Sequence, residues 1–156
     1  MRMVLDSSTL ISLAWAGQLE LIRLAPVMFA VPDEVRQEAV AEGLARGYPD
    51  AAAIEQVVKA LPGTDPPEVE PTPAGSVDQA VLRAAHRHGA LLTNDLALGR
   101  RAANLGVSWL RTADLVVLCV RTNTLSAARG VAALRALQDA GRITADLLDA
   151  YLEELA

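Results

Sequence analysis

The chain has 156 residues, a length that suits one domain with a single buried core. A formal net charge of −5 argues against a protein that binds nucleic acid through bulk positive charge alone, but acids that bind cations would still permit a nucleic-acid substrate. One cysteine excludes an intrachain disulfide, and every apolar run is too short to cross a membrane. We therefore expect a cytoplasmic protein that makes no membrane contact.

Short apolar runs that are typical of buried strands alternate with helical patterns over the first two thirds of the chain. The strand-like runs are 3–6, 28–31, 90–93 and 107–110. The helical patterns are 8–24 (broken near Gly17), 33–44, 50–61, 77–88 and 96–105. Alternation of this kind predicts βαβ units and a parallel sheet.

The last third of the chain has only helical patterns, over 113–121, 126–140 and 145–155. Gly141 is typical of a helix end, and Thr144 of the cap that begins the next helix. Before them, residues 62–75 hold five of the eight prolines, which predicts a surface loop or an edge strand. We predict a single α/β domain over residues 1–156, with its sheet core at about 1–112 and a C-terminal helical part at about 113–156.

Two acidic residues follow strand-like runs directly. Asp6 comes after Met3-Val4-Leu5, and Asp95 comes after Leu91-Leu92-Thr93-Asn94. The carboxyl ends of parallel strands meet at one edge of a sheet, so the two carboxylates would converge if these strands are neighbours. Thr93 and Asn94 would add further oxygen ligands or donors there. Each aspartate could instead serve only as the N-cap of the helix that follows it.

Two further acids lie on predicted helices. Asp78 is in the first turn of a helix, after a capping-box spacing of Ser76 and Gln79, where a carboxylate is favoured by the helix dipole without any function. Glu38 borders the face that Val35 turns inward, and an acid in that position needs a partner. Glu42 meets the same criterion, so spacing alone does not choose between the two glutamates.

The order of these four acids along the chain resembles that of the PIN-domain ribonucleases. The segments that carry the resemblance are VLDSSTLI at 4–11, VPDEVRQE at 31–38, VDQAVLRAA at 77–85 and LLTND at 91–95. It extends over about 3–112, and the remainder, with Ile143-Thr144 opening the last helix, is similar to a VapC-like toxin subgroup. The fold that it implies is a three-layer PIN-like domain, with a central parallel sheet of four to five strands flanked by helices and a C-terminal helix pair.

The resemblance also implies a function. The protein would be an endoribonuclease that hydrolyses RNA with Mg²⁺ or Mn²⁺, plausibly the toxin of a type II toxin–antitoxin pair with a small antitoxin partner. A homodimer is also implied by the family. The catalytic and metal-binding residues would be Asp6, Glu38, Asp78 and Asp95, with Ser8, Thr93 and Asn94 as accessory residues. The resemblance selects Glu38 over Glu42.

Contacts with the substrate are predicted from position alone. Arg100 and Arg101 lie within the helix that Asp95 opens and could bind phosphate, or could be ordinary solvated helix residues. Trp15 and Trp109 lie in apolar contexts, and we expect both to anchor the core. With few aromatics in the chain, a base-stacking platform is not indicated.

Two alternatives to a ribonuclease remain at this level. A catalytically weak or inactive PIN-fold protein could bind RNA or a protein partner, because Gln79 replaces the small apolar residue that commonly follows the third acid. A receiver-like phosphoacceptor domain is also α/β with carboxylates at strand ends. It would require two adjacent acids after the first strand, where this chain has only Asp6.

Overall fold

A computed structural model describes residues 2–45, 47, 49–62 and 77–156 of the chain. Within them, four strands form one sheet: β1 (Arg2–Leu5), β2 (Met28–Ala30), β3 (Ala90–Leu92) and β4 (Ser108–Leu110). The strand order is β2-β1-β3-β4, and every pair is parallel. The predicted α/β class, the parallel sheet and the four strand positions are therefore confirmed.

The helices flank this sheet and follow the predicted alternation. In the amino-terminal half they are α1 (Ser7–Trp15), α2 (Glu20–Leu24), α3 (Asp33–Arg36), α4 (Glu42–Ala45) and α5 (Pro49–Lys59). The later ones are α6 (Val77–His88), α7 (Leu96–Asn104), α8 (Thr112–Arg121), α9 (Ala127–Asp139) and α10 (Ala145–Leu155). Gly17, with a φ of 68°, separates α1 from α2 where the break was predicted, since glycine adopts this left-handed conformation without strain.

One predicted helix differs from a regular α-helix. Between α3 and α4 the chain forms a π-helical segment, Gln37–Ala41, so the predicted helix over 33–44 is wound more widely in its middle. Such segments are rare and occur frequently at functional sites. Glu38 lies within this one.

The core is aliphatic and lies on both faces of the sheet. Met3, Val4 and Leu5 of β1 and Leu91 and Leu92 of β3 are all fully buried, as expected for strands that are covered on both sides. Helix α6 packs on β1 and β3, and the C-terminal helices α9 and α10 pack on each other and on α8. The predicted C-terminal helix pair is therefore present.

The prediction that both tryptophans anchor the core is wrong for Trp15. This side chain, at the end of α1, is 58% exposed, and its indole Nε1 donates a 3.0 Å hydrogen bond to Asp50 Oδ2. Trp109 is half-buried, with its ring against Gly99 of α7. A glycine at position 99 leaves room for that ring, because a Cβ there would lie 1.9 Å from it.

Two predictions concern residues outside the described part of the chain. Residues 63–76 lie between the described ranges 49–62 and 77–156, so the proline-rich loop and the Ser76 cap stay predictions. Pro62 is described, and its carbonyl accepts a 3.2 Å hydrogen bond from the Val31 amide. Across the described residues, none of the helices combines the length and the apolar character that a membrane span requires.

Candidate active site

Asp6 lies at the carboxyl end of β1, where the sheet register sets it beside the end of β3. Leu5 pairs with Leu92, and the Asp6 amide donates a 3.2 Å hydrogen bond to the Leu92 carbonyl. The carboxylate of Asp6 is buried, with 5% of the residue exposed. A buried carboxylate is costly unless it is paired or hydrogen-bonded, so its partners define the site.

The partners of Asp6 are hydroxyl and amide groups. Oδ2 accepts hydrogen bonds from Thr93 Oγ1 at 2.7 Å and from Ser8 Oγ at 3.0 Å. Oδ1 accepts one from the Ser7 amide at 2.8 Å, so Asp6 is also the N-cap of α1. Asp6 therefore caps its own helix, as one interpretation predicted, and its carboxylate is also held by Thr93, which follows the neighbouring strand. Its part in binding a metal stays a prediction.

Thr93 and Ser8 connect this carboxylate to the residues that follow β3. Their hydroxyl oxygens lie 3.1 Å apart. Ser8 Oγ accepts a hydrogen bond from the Asn94 amide at 3.1 Å, and Thr93 Oγ1 accepts one from the Asp95 amide at 3.0 Å. The two predicted hydroxyl residues thus lie beside Asp6 and help to set the backbone of Asn94 and Asp95.

Asp95 caps α7, as its alternative interpretation predicted. Its Oδ1 accepts a 3.1 Å hydrogen bond from the Leu98 amide. The residue is exposed, and no hydrogen bond between described residues reaches its Oδ2. One carboxylate oxygen therefore remains available at the strand edge.

Asp78 is brought close to both strand-end aspartates by the packing of α6 on β1. Partial burial raises the pKa of Asp78, and the negative charges of Asp6 and then Asp95 raise this pKa further. The positive charge of Arg101 has the opposite effect and lowers the pKa of Asp78; Arg101 Nη1 lies 3.9 Å from Asp78 Oδ2. The repulsion means that three acids from distant parts of the chain act on one another at this edge.

Glu38 reaches the same edge from the π-helical segment. Its Oε1 accepts a 2.6 Å hydrogen bond from Ser7 Oγ, and that hydroxyl also lies 3.5 Å from Asp6 Oδ1. Glu38 is exposed rather than buried, so its partner is not required by burial alone. The side chain of Glu42, the alternative left by spacing, lies outside the described residues.

Arg100 and Arg101, the predicted substrate contacts, are exposed residues of α7. Arg101 lies beside Asp78. Their part in substrate binding stays a prediction.

Ser12 is a further residue of this site. Its buried hydroxyl donates to the Ser8 carbonyl at 2.7 Å. It accepts hydrogen bonds from Asn94 Nδ2 at 3.0 Å and from Arg142 Nε at 2.8 Å. Ser12 therefore joins the strand edge to the turn between α9 and α10. The only signal was that Ser12 is one helical turn after Ser8, on the same face of α1.

The donor set at this edge has the chemistry of a site for a hard divalent cation. It consists of carboxylate and hydroxyl oxygens, the ligands that Mg²⁺ and Mn²⁺ prefer. As the side chains stand, no group of three or more acids, histidines or cysteines within the described residues is close enough to hold a metal ion. The residues fit such an ion in kind, and their mutual repulsion is what a cation would relieve.

Parallel strands that end in acids, with hydroxyls beside them, define an α/β domain whose acidic cleft consists of Asp6, Glu38, Asp78 and Asp95 at the sheet edge. The chain belongs to the PIN-domain family: the model of the DUF3368 family, described as a PIN domain, matches residues 2–156. PIN domains are generally nucleases that use divalent metals. The receiver-like alternative is therefore wrong. No curated protein and no solved structure matches the chain significantly.

Proposed function

We propose that this protein is a cytoplasmic, metal-dependent endoribonuclease that hydrolyses RNA phosphodiester bonds. Asp6, Asp78, Asp95 and Glu38 would together hold Mg²⁺ or Mn²⁺. The observation that carries the proposal is the 2.7 Å hydrogen bond from Thr93 Oγ1 to Asp6 Oδ2, which joins the ends of β1 and β3 just before Asp95. The pKa of Asp78 is raised by partial burial and then by the charges of Asp6 and Asp95, so a third acid acts at the same edge. Membership of the PIN-domain family supports a nuclease.

The four acidic side chains differ in how freely they can change rotamer. Asp6 is buried and held by hydrogen bonds from Thr93 and Ser8, so its carboxylate is already oriented. Asp78, Asp95 and Glu38 are exposed, and rotamer changes can bring their oxygens toward Asp6. Assembly of the site would therefore proceed around one fixed carboxylate.

A divalent cation bound there would lower the pKa of bound water and offset the charge that grows on the scissile phosphate. The chain's own contribution is the placement of charge and protons. The pKa of Asp78 is raised by partial burial and then by the charges of Asp6 and Asp95, and a cation beside it would favour its ionised form. Arg101 Nη1 lies 3.9 Å from Asp78 Oδ2 and already offsets part of that charge. Ser7 holds the Glu38 carboxylate at the same edge.

The experiment is an RNA cleavage assay with two matched variants. The purified protein is incubated with mixed single-stranded RNA in Mn²⁺ or Mg²⁺, and in EDTA. Asp6→Asn should abolish cleavage, whereas Asp146→Asn, which removes the same charge from an exposed residue of α10, should leave it unchanged. If the Asp6→Asn variant cleaves RNA as fast as wild type does, the activity belongs to a contaminant and the proposal is contradicted.

We further propose that the enzyme is the toxin of a type II pair, inhibited by a small partner protein. The exposed carboxylates of Glu38, Asp78 and Asp95 offer such a partner an acidic surface for an arginine. Induced expression of the wild-type chain should arrest growth, and expression of Asp6→Asn should not. Where a short reading frame adjoins the gene, its co-expression should restore growth. A homodimer, also proposed, is checked by light scattering.

A second candidate is a catalytically weak PIN-fold module that binds RNA or a protein. The observation in its favour is that no three acids within the described residues converge closely enough to hold a metal as they stand. RNA that is bound but left intact in both metals would favour this candidate.

A further inference from the structure

A pocket lies next to the acidic cleft, and none of its lining residues is one of the four acids. Its volume is about 240 Å³, and it opens between the ends of β3 and β4 and the turn that joins α9 to α10. Its polar lining comes from Asn94, Arg111, Arg142, Thr144 and Tyr151. The pocket is smaller than the roughly 300–1,000 Å³ of sites that enclose a whole small molecule, so it suits one group of a larger ligand.

Arg142 is held in this pocket by two contacts. Its Nε donates a 2.8 Å hydrogen bond to Ser12 Oγ, and its guanidinium carbon lies 5.0 Å from the centroid of the Trp15 ring. These contacts fix the plane of the guanidinium and occupy only one of its five N–H groups.

Arg111 faces the pocket from the start of α8. Its guanidinium carbon lies 5.2 Å from the centroid of the Trp109 ring, and Trp109 Nε1 donates a 3.0 Å hydrogen bond to the Thr93 carbonyl. The acid nearest in sequence, Asp114, is engaged elsewhere: its Oδ2 accepts from the Arg111 amide and its Oδ1 from the Tyr151 hydroxyl. The Arg111 side chain is thus stacked on an aromatic ring, and no ion pair joins it to Asp114.

Neither guanidinium forms an ion pair with a carboxylate of the described residues. Both arginines are half-buried. Two half-buried guanidiniums line one pocket, and burial of a charge without a counter-charge is costly, so an anion that entered the pocket would be favoured. Their planar N–H forks match the oxygens of a phosphate.

Asn94 places this pocket in contact with the acidic cleft. It lies between Thr93 and Asp95 in the chain, and it lines the pocket. Its Nδ2 donates to Ser12 Oγ, the same oxygen that Arg142 contacts, and its Oδ1 accepts a 3.0 Å hydrogen bond from the Thr112 amide. The two sites therefore share one wall.

We infer that Arg111 and Arg142 form a binding pocket for a phosphodiester of single-stranded RNA, adjacent to the phosphodiester that lies in the acidic cleft. The inference rests on the proposed function for its substrate class. Positive charge beside the acids offsets their repulsion of an RNA backbone and sets the strand's position along the cleft. A carboxylate of a protein partner is the other anion that could enter the pocket, and the test separates it from RNA.

The test measures RNA binding without cleavage. Anisotropy of a short fluorescent oligouridine is recorded in EDTA over a range of salt concentrations, for wild type, Arg111→Gln, Arg142→Gln and Arg135→Gln. Arg135 is an exposed residue of α9 and controls for the loss of one positive charge. Each pocket variant should reduce the slope of log affinity against log salt by about 0.7, and the control should leave that slope unchanged.

Several outcomes would overturn the inference. The first is a wild-type protein that does not bind the oligouridine. The second is that the pocket variants bind like wild type, as expected for a pocket that takes a partner's carboxylate. The third is that Arg135→Gln reduces the salt slope as much as the pocket variants do. Arg111→Lys and Arg142→Lys keep the charge, so they should retain the slope and serve where a glutamine variant fails to fold. If RNA binds through the pocket but is not cleaved in Mg²⁺ or Mn²⁺, the proposed function alone is contradicted. If RNA is cleaved and the pocket variants bind it as wild type does, only the inference is contradicted.

Discussion

Thr93 Oγ1 donates a 2.7 Å hydrogen bond to Asp6 Oδ2, although the two residues are 87 positions apart in the chain. Each of them directly follows a residue of the Leu5–Leu92 pair, so the parallel register of β1 and β3 sets them side by side. The orientation of the Asp6 carboxylate is therefore determined by a neighbouring strand as well as by its own helix.

Replacing Thr93 with valine should destabilise the protein. Thr93→Val preserves the shape of the side chain but removes the donor to Asp6 and the acceptor for the Asp95 amide, both at a buried position. We expect the free energy of unfolding to fall by about 1–3 kcal/mol in urea denaturation. Thr122→Val, at an exposed residue, should change it by less than about 0.5 kcal/mol. Equal effects of the two substitutions would contradict this role of Thr93.

Asp78 should make stability depend on pH in the absence of metal. Because its folded-state pKa is raised, first by burial and then by Asp6 and Asp95, the ionised carboxylate costs stability above that pKa. The cost disappears as the pH falls through the raised pKa toward the ordinary value of 3.8. In EDTA at neutral pH, Asp78→Asn should therefore be more stable, relative to wild type, than Asp146→Asn.

Asp146 is a matched control for that comparison, because it is the second residue of α10, as Asp78 is of α6. Both carboxylates lie in the first turn of a helix and gain from its dipole, so the two variants lose the same local interaction. The difference between the two variants should shrink in urea titrations at acidic pH. A difference that is the same at neutral and acidic pH would refute the coupling of Asp78 to the cleft.

Gly99→Ala should destabilise the protein, although alanine is the better helix former by about 1 kcal/mol. The new Cβ would lie 1.9 Å from the Trp109 ring, which is fixed by its hydrogen bond to the Thr93 carbonyl. Overpacking of this kind costs about 1–3 kcal/mol, measured by thermal or urea unfolding. In a Trp109→Ala background the same substitution should cost less, and an undiminished cost there would point to a cause other than the ring.

Cys119 should be unreactive toward thiol reagents in the folded protein. It is the only cysteine, it is fully buried in α8, and burial raises the pKa of its thiol. The thiolate is the reactive form, so reaction with a disulfide reagent should be slow in buffer and rapid in urea. Fast modification of the native chain would show that α8 opens readily.

Much of the fold was predictable because its signals are local. Strands buried on both faces require short continuous apolar runs, and Met3–Leu5 and Ala90–Leu92 are such runs in the sequence. Gly17, Gly141 and Thr144 marked helix boundaries through their own conformational preferences. The prediction that Trp15 anchors the core was wrong, because an apolar context does not reveal that a tryptophan will stack on an arginine from the far end of the chain.

The sequence by itself determined the order of strands and helices, the aliphatic core and the four acids that a PIN-domain resemblance selects. Only the tertiary structure decided which polar groups meet: Glu38 with Ser7, Thr93 with Asp6, and Arg142 with Ser12. The periodicity of apolar residues in the sequence indicates which face of a helix or strand is buried, and this pattern depends only on residues that are close in the chain. Convergence depends instead on strand order and helix packing, which bring together side chains that share no local signal.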